Sequence, residues 1–307
     1  MTESHHTARE NRAIAADLVF AVVLWGGNNA GVKYLVASWP PIFVGGTRFV
    51  CAGFLMLAVL RWTRWLGTAS HPTPAENRAL WRRGGLSLAV YIIAFNWALH
   101  FTSASHVALY LGASPVWALL ADGKPAWSLL TLRRYASAAL AFSGVVLLFW
   151  PALKLTPDHW FGELLALVSS VLWAYHGRQV RHLTATMSGV AITAHAMWRA
   201  GLILLPLGLV EAAMHPVHWR WNLGLVQGYC ILGGGVAAFA LWNSALRHWS
   251  TSQVFLFGNL IPLSTMTWAH FCLGERVSRT YFYAMLLVVG AVVLAKANWS
   301  KTTAPEV

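Results

Sequence analysis

The stretch Asn96–Pro115, NWALHFTSASHVALYLGASP, returns 147 positions later as Asn243–Pro262, NSALRHWSTSQVFLFGNLIP. Eight of the twenty positions are identical: Asn96/Asn243, Ala98/Ala245, Leu99/Leu246, Ser103/Ser250, Ser105/Ser252, Val107/Val254, Leu109/Leu256 and Pro115/Pro262. Unrelated apolar segments share roughly two or three, because Ala, Leu and Val are common in any of them. In both copies two apolar runs flank a short polar joint of Ser, Thr and His, a pattern that predicts a helix, a tight turn and a second helix. Other echoes extend the duplication. Val23-Leu24-Trp25 recurs as Val171-Leu172-Trp173, Gly144-Val-Val-Leu as Gly290-Ala-Val-Val-Leu, and Arg48 has a counterpart in Arg199. A chain built this way is a duplicated bundle, and its working surface is expected where the copies face each other.

Composition decides what kind of bundle. The chain is 57% hydrophobic and 10% charged, against about 25% charged residues in soluble domains, so a soluble pair of domains is excluded. Many of the 18 Trp lie near the ends of apolar runs, where amphipathic rings suit a membrane interface. Cys51, Cys230 and Cys272 fall inside apolar runs and read as buried thiols, not as a disulfide or metal framework. The net charge of +12 is dispersed among short loops and does not form one patch, which argues for topology retention and against nucleic acid as a partner.

Ten apolar runs are each long enough to cross a bilayer: 17–37, 41–60, 84–102, 105–123, 133–151, 160–181, 187–211, 223–246, 250–273 and 279–298. The expected fold class is an all-α integral membrane protein of ten transmembrane helices in two inverted five-helix repeats. Residues 1–16 are read as a short disordered cytoplasmic tail, 17–157 and 158–299 as the two repeats, and 300–307 as a second cytoplasmic tail. The polar start and long first run argue against a cleavable signal peptide. With the N-terminus inside, 15 of the Lys and Arg residues fall on cytoplasmic loops and 5 outside, so both termini are expected in the cytoplasm. Five spans per repeat is an odd number, so the second repeat must insert upside down, and inverted repeats place a substrate site near the midplane.

Several motifs then carry a resemblance: Leu24-Trp25-Gly26, Arg48-Phe49, the Ser-Ala-Ser joint with its Pro at 103–115, its echo at 250–262, and Leu273-Gly274-Glu275-Arg276. In this order and doubling the chain resembles the drug/metabolite transporter superfamily, EamA type, over residues 17–298, and within it is most similar to the YddG-type exporters of aromatic amino acids. The resemblance implies a carrier of the bacterial inner membrane working in the outward direction. One departure is that Gly123 follows Pro115 by only eight residues and is followed by Lys124, whereas Gly274 follows Pro262 by twelve and is followed by Glu275.

Polar residues inside apolar spans mark an aqueous pathway. The candidate substrate-binding residues are Trp25, Asn28, Tyr91, Asn96, Tyr110, Trp173, His176, Asn243 and Asn259, with Pro115 and Pro262 as hinges. They come from spans 1, 3, 4, 6, 8 and 9. Spans 2, 5, 7 and 10 are more uniformly apolar and are expected to face lipid or brace the bundle. Asn and Ser also link membrane helices by hydrogen bonds, and Trp also simply packs. Arg48 and Arg199 are expected to be buried against helix-terminal carbonyls or loops in preference to substrate. No acidic residue is placed at the midplane. The expected cargo is a small amphipathic molecule, most of all phenylalanine, tyrosine or tryptophan, carried by alternating access through a central cavity. No cofactor or metal is implied, and the expected partners are the substrate and the lipid bilayer around a monomer. A carrier of anionic metabolites of the sugar-phosphate or nucleotide-sugar kind stays open through Arg48 and Arg199. A membrane-embedded enzyme is a more remote alternative, since no H-E-x-x-H, paired acid motif or Ser–His pair is present, so the chain reads as no enzyme. A purely structural or receptor protein would not need matched polar positions in both repeats.

Overall fold

The computed structural model describes residues 2–63, 66, 71–121, 129–152, 157–249 and 251–296, and among these every regular element is helical. Inside a bilayer each backbone N–H and C=O must be satisfied within the chain, and helices do this segment by segment. In chain order the helices are α1 Thr2–Val36, α2 Pro41–Trp62, α3 Pro74–Phe101, α4 Ala104–Gly112, α5 Ser114–Ala121, α6 Leu129–Ala152, α7 Pro157–Arg181, α8 Gly189–Met214, α9 Trp221–Leu246, α10 Thr251–Gly258, α11 Ile261–Leu273 and α12 Arg279–Lys296. Pro41, Pro74 and Pro157 open α2, α3 and α7, where a missing N–H costs nothing. Ser103 and Ser188 cap α4 and α8 by accepting from the N–H groups of His106 and Ala191. Gly274 ends α11 at φ +70°, a left-handed conformation that favours glycine.

Among the described residues, five helical stretches are long and apolar enough to cross a membrane: Glu10–Val36, Pro41–Trp62, Pro74–Phe101, Gly189–Met214 and Trp221–Leu246. The other expected spans differ for identifiable reasons. Helix α7 has the length but carries Asp158, Glu163, His176, Arg178 and Arg181. The fourth and ninth spans are each broken in two, at Ala113 and at Asn259–Leu260. Helices α6 and α12 hold shorter apolar cores, Tyr135–Leu148 and Arg279–Leu294. The polar N-terminus also differs from expectation, since α1 runs back to Thr2 and replaces the disordered tail. Lys124, Gly123 and the 300–307 tail lie outside the described residues.

The duplication is visible element by element. Helices α3 and α9 start at Pro74 and Trp221, α4 and α10 at Ala104 and Thr251, and α5 and α11 at Ser114 and Ile261, each pair separated by the same interval as Asn96 and Asn243. Helices α3 and α9 even share a π-helical turn, Leu80–Gly85 and Cys230–Ala237. Packing follows the same exchange. Helix α1 lies against α9 and α11, while its counterpart α7 lies against α3, α4 and α5. Two further closely packed pairs, α2 with α8 and α6 with α12, join each helix to its own counterpart.

Glycine governs the α2–α8 crossing. A Cβ on Gly53 would strike the backbone of Trp198, one on Gly201 that of Val50, and one on Gly208 that of Phe43. As the α2 number rises the α8 number falls, so the counterparts run antiparallel. Helices α6 and α12 do the same, with Gly144 against Val288 and Gly290 against Leu140. Small residues permit this approach, which replaces the hydrophobic effect as the source of helix association in lipid.

The perimeter is apolar. Phe20, Phe54, Val90, Phe142, Leu209, Leu232, Phe271 and Phe282 are all exposed on helix faces, an extent of bare apolar surface that a bilayer covers and water does not. Cys51 and Cys272 join this exposed surface; of the three thiols expected to be buried, only Cys230 is.

Gly201→Val forces atoms into the Val50 backbone, and overpacking of this kind costs about 1–3 kcal/mol. The variant is expected to lose its folded, monodisperse fraction on heating in detergent well before the unaltered protein. Gly177→Ala, where an added Cβ meets nothing within 4 Å, serves as the control and is expected to leave the melting curve unchanged or slightly raised.

Candidate substrate cavity

A cavity of about 280 Å³ opens between the halves. Its wall is drawn from α1, α2, α3, α7, α8 and α9 and from the two broken segments α4–α5 and α10–α11. On α7, α8 and α9 the lining residues, such as Trp173, His176, Thr193 and Trp242, lie in the parts remote from the bundle end that holds the 101–104 joint.

Two aromatic clusters furnish the wall, one at each of the related interfaces. Where α1 meets α9, the Trp25 ring sits 5.0 Å from Phe239 and 5.1 Å from Trp242, and its indole N–H donates to the Gly234 carbonyl at 3.1 Å. Where α7 meets α3, Trp173 sits 5.0 Å from Tyr91 and 5.8 Å from His176. Ser87 Oγ lies 2.8 Å from His176 Nδ1, which fixes the ring. Such faces hold flat apolar groups, and each Trp and Tyr keeps a polar handle.

The polar part of the wall is concentrated on α1 and α2. Asn28 Oδ1 accepts from Arg48 Nη1 at 3.2 Å, and Asn29 Nδ2 donates to Thr265 Oγ1 at 3.0 Å. The Arg48 guanidinium lies 4.6 Å from the Phe49 ring centre, and its Nε has no partner within the protein. None of the described residues that line the cavity is acidic. The wall therefore presents one cation, several amides and two aromatic clusters, an arrangement able to hold a carboxylate or other anion beside a ring.

The breaks in the two doubled helices complete the floor. Gly112, Ser114 and Pro115 line it from one side, and Gly258, Asn259, Ile261 and Pro262 from the other. They meet, since a Cβ on Gly112 would lie 3.2 Å from the Pro262 ring. At each break a tighter bond replaces the helical one: Ala113 N–H donates to Tyr110 O at 3.0 Å and Leu260 N–H to Phe257 O at 2.9 Å. Proline next to each break supplies no donor of its own.

Of the candidate residues, Trp25, Asn28, Tyr91, Trp173, His176, Asn259, Pro115 and Pro262 border this cavity, and Asn96, Tyr110 and Asn243 do not. Asn96 is buried and donates to the Pro41 carbonyl at 2.7 Å, tying α3 to the start of α2. Tyr110 is fully buried, turned toward Glu163 and not toward the cavity. Asn243 donates back to Phe239 O, one turn earlier on its own helix, at 2.8 Å. A polar residue in an apolar span is thus as readily an internal link as a wall residue, and sequence alone does not separate the two. The division of labour among spans is also corrected. Helices α2 and α8 carry wall residues, Arg48, Phe49 and Ala52 on one and Thr193, Ala196 and Met197 on the other. The close glycine crossing draws both helices inward. Phe239, Trp242 and Cys230 also belong to the wall; the two aromatic residues Phe239 and Trp242, one turn before and next to Asn243, were the available signal.

The two buried arginines have separate fates. Arg48 faces the cavity, against the expectation of helix-end burial. Arg199 is held by the His195 carbonyl at 3.0 Å and by Asn77, with its guanidinium 4.1 Å from Trp198 and 5.5 Å from Trp81. Arg199→Gln is accordingly expected to cost about 1.5–3 kcal/mol, the worth of hydrogen bonds to a charged group, seen as a lowered thermal midpoint in detergent. Arg48→Gln, with one such bond to lose, is expected to shift that midpoint less.

Comparison with known proteins agrees with this architecture. The EamA-like transporter family matches the chain twice, over residues 14–150 and 160–296. The "Uncharacterized inner membrane transporter YedA" of Escherichia coli K12 is 25% identical over 273 residues, covering 89% of this chain and 87% of that one. The "Probable amino-acid metabolite efflux pump" of the same organism is 20% identical over 280 residues, covering 88% and 90%. A crystal structure titled only as that of a protein shares the fold at a TM-score of 0.59 and 18% identity, covering 92% of this chain and 97% of its own.

Proposed function

We propose that this chain, which belongs to the EamA-like transporter family, exports small amphipathic metabolites, foremost the aromatic amino acids phenylalanine, tyrosine and tryptophan. The family and the relatives are transporters, so the protein is a multi-pass membrane transporter and not an enzyme. The observation that carries the finer reading is the cavity wall, where the described residues present Arg48 as the one permanent cation, beside amides, between aromatic clusters at Trp25 and Trp173, and no acid. A substrate carboxylate meets Arg48 and Asn28, as charge-assisted pairs do. An aromatic side chain then stacks on Trp173 and Tyr91 or on Trp25. Outward direction is supported by the relative named an efflux pump, and placement in a bacterial inner membrane by the relative named for it.

The architecture we assign is ten spans in two inverted five-helix repeats, with both termini cytoplasmic. The antiparallel pairing of α2 with α8 and of α6 with α12 supports it, as does the charge bias of the loops. Transport proceeds by alternating access, the halves rocking about the α2–α8 crossing while the breaks at Ala113 and Leu260 flex. The protein acts as a monomer in the bilayer, with no nucleic-acid partner.

A second reading, transport of anionic metabolites, draws on the same Arg48. Reconstitution in liposomes separates the two. Counterflow of labelled phenylalanine is expected, reduced at least about tenfold by Trp173→Ala, since one stacking platform is worth roughly 1–3 kcal/mol, and reduced similarly by Arg48→Gln. A sugar phosphate that exchanges faster than phenylalanine and ignores Trp173→Ala would replace the aromatic reading with the anionic one.

A further inference from the structure

The two breaks in the doubled helices leave backbone oxygens bare. A carbonyl inside a helix accepts from the N–H four residues on, and proline has no N–H to give. Pro262 therefore supplies no donor to the Gly258 carbonyl, and its counterpart Pro115 supplies none to Leu111, which keeps only a share of the Ala113 N–H. The Gly112 carbonyl loses its donor as well, because the Val116 N–H goes to Ala113 O at 2.9 Å. Among the described residues no N–H donates to the carbonyl oxygen of Gly112 or of Gly258. Both residues border the cavity, and a glycine has only its backbone to border it with.

The breaks share one floor, since a Cβ on Gly112 would come within 3.2 Å of the Pro262 ring. Asn259, at the second break, lines the same floor, and its side chain bonds to no described residue. The floor is also tied to the arginine. Asn29 donates to Thr265 Oγ1, one turn beyond Pro262, while its neighbour Asn28 accepts from Arg48. Consecutive residues of α1 thus join the cation of the wall to the broken helix. Helices α5 and α11 start directly after the breaks, so the dipoles of the half-helices offset one another. Attraction for a positive group then rests on the bare oxygens themselves.

Resting on the amino-acid reading above, we propose that the break oxygens are the ammonium subsite of this carrier: the carbonyls of Gly112 and Gly258, with Asn259 Oδ1, receive the α-ammonium of the substrate while Arg48 holds its carboxylate. An ammonium has three N–H donors and no acceptor, and this floor offers acceptors that no described N–H occupies. The arrangement also gives a reason for the lack of an acid among the described wall residues. A carboxylate there would pair with Arg48 and compete with that of the substrate, whereas neutral oxygens attract the ammonium and leave the arginine open. The aromatic clusters then take the side chain. A site built to bond a polar group rejects an analogue that lacks it, because the site's own polar atoms are left unpaired. The subsite therefore selects amino acids over aromatic acids of the same shape.

The test is competition against counterflow of labelled phenylalanine in liposomes. Phenylpropionate has the ring and carboxylate of phenylalanine without the ammonium. The unaltered protein is expected to need at least about tenfold more phenylpropionate than phenylalanine for half-competition, the worth of one hydrogen bond to a charged group. Equal competition overturns the subsite. Pro262→Ala returns an N–H to the Gly258 carbonyl, and Asn259→Leu removes the side-chain oxygen; each is expected to bring the ratio down by most of that factor. A break that flexes less slows both compounds alike, so an unchanged ratio in a folded variant overturns the assignment. If one variant does not fold, the other decides. The ratio is expected to persist when sodium is replaced by N-methylglucamine, and a ratio that needs sodium gives these oxygens to the metal ion instead. If phenylalanine is not exchanged at all, the substrate reading fails alone, and phenylethylamine, which has the ammonium without the carboxylate, decides the subsite. It is expected to raise the thermal midpoint in detergent, at concentrations about tenfold higher for Pro262→Ala. No protection, or equal protection of both proteins, overturns the subsite.

Discussion

The antiparallel crossing of α2 and α8 is the contact on which the rest of the molecule depends. Lipid supplies no hydrophobic drive for one helix to seek another, so association rests on close packing and on hydrogen bonds that have no better partner outside. Gly53, Gly201 and Gly208 let the two backbones meet. That approach pulls Arg48 and Phe49 from one side, and Thr193 and Met197 from the other, toward the space between the halves. Without it, the arginine would be exposed to hydrocarbon, where a charge is least tolerated.

Around this crossing the two halves use the same contacts in exchanged form. Helix α1 meets α9 through Trp25, and α7 meets α3 through Trp173. The repeat therefore builds two aromatic clusters from one pattern, and the cavity between them inherits an approximate two-fold character. Polar chemistry breaks that symmetry. Arg48 bears on the cavity while Arg199 is folded onto Asn77, His195 and two Trp rings. The acids break it as well, because three carboxylates that reach into the opposite half, Glu163, Glu211 and Glu275, all come from the second half. A symmetric shell with an asymmetric lining gives a cavity that can favour one orientation of an amphipathic molecule.

Helix α4 connects the two regions. It is short because it is capped at Ser103 and broken at Ala113, and it runs from the carboxylates of the second half to the cavity floor. The broken counterpart α10–α11 faces it across the floor through Pro262. The sequence marked these positions by their prolines, but the mutual contact of Gly112 with Pro262 belongs to the packing of one half on the other.

The sequence by itself determined the class of the molecule. Hydropathy demanded helices in a bilayer, the repeated stretch at 96–115 and 243–262 demanded two related halves, and the Trp-bearing echoes at 25 and 173 pointed to where those halves meet. These follow because composition and short-range pattern act on each segment separately. Tertiary structure alone decided which polar residues face the cavity. Asn28 and Asn259 reach the wall, whereas Asn96 and Asn243 satisfy backbone carbonyls, and nothing local distinguishes the four. It also decided that Glu163, Glu211 and Glu275, each at the edge of an apolar run, clamp the opposite half. A hydrogen bond across more than fifty residues depends on how helices are rotated and stacked, and that rotation is set by the sum of all close contacts, which no single stretch contains.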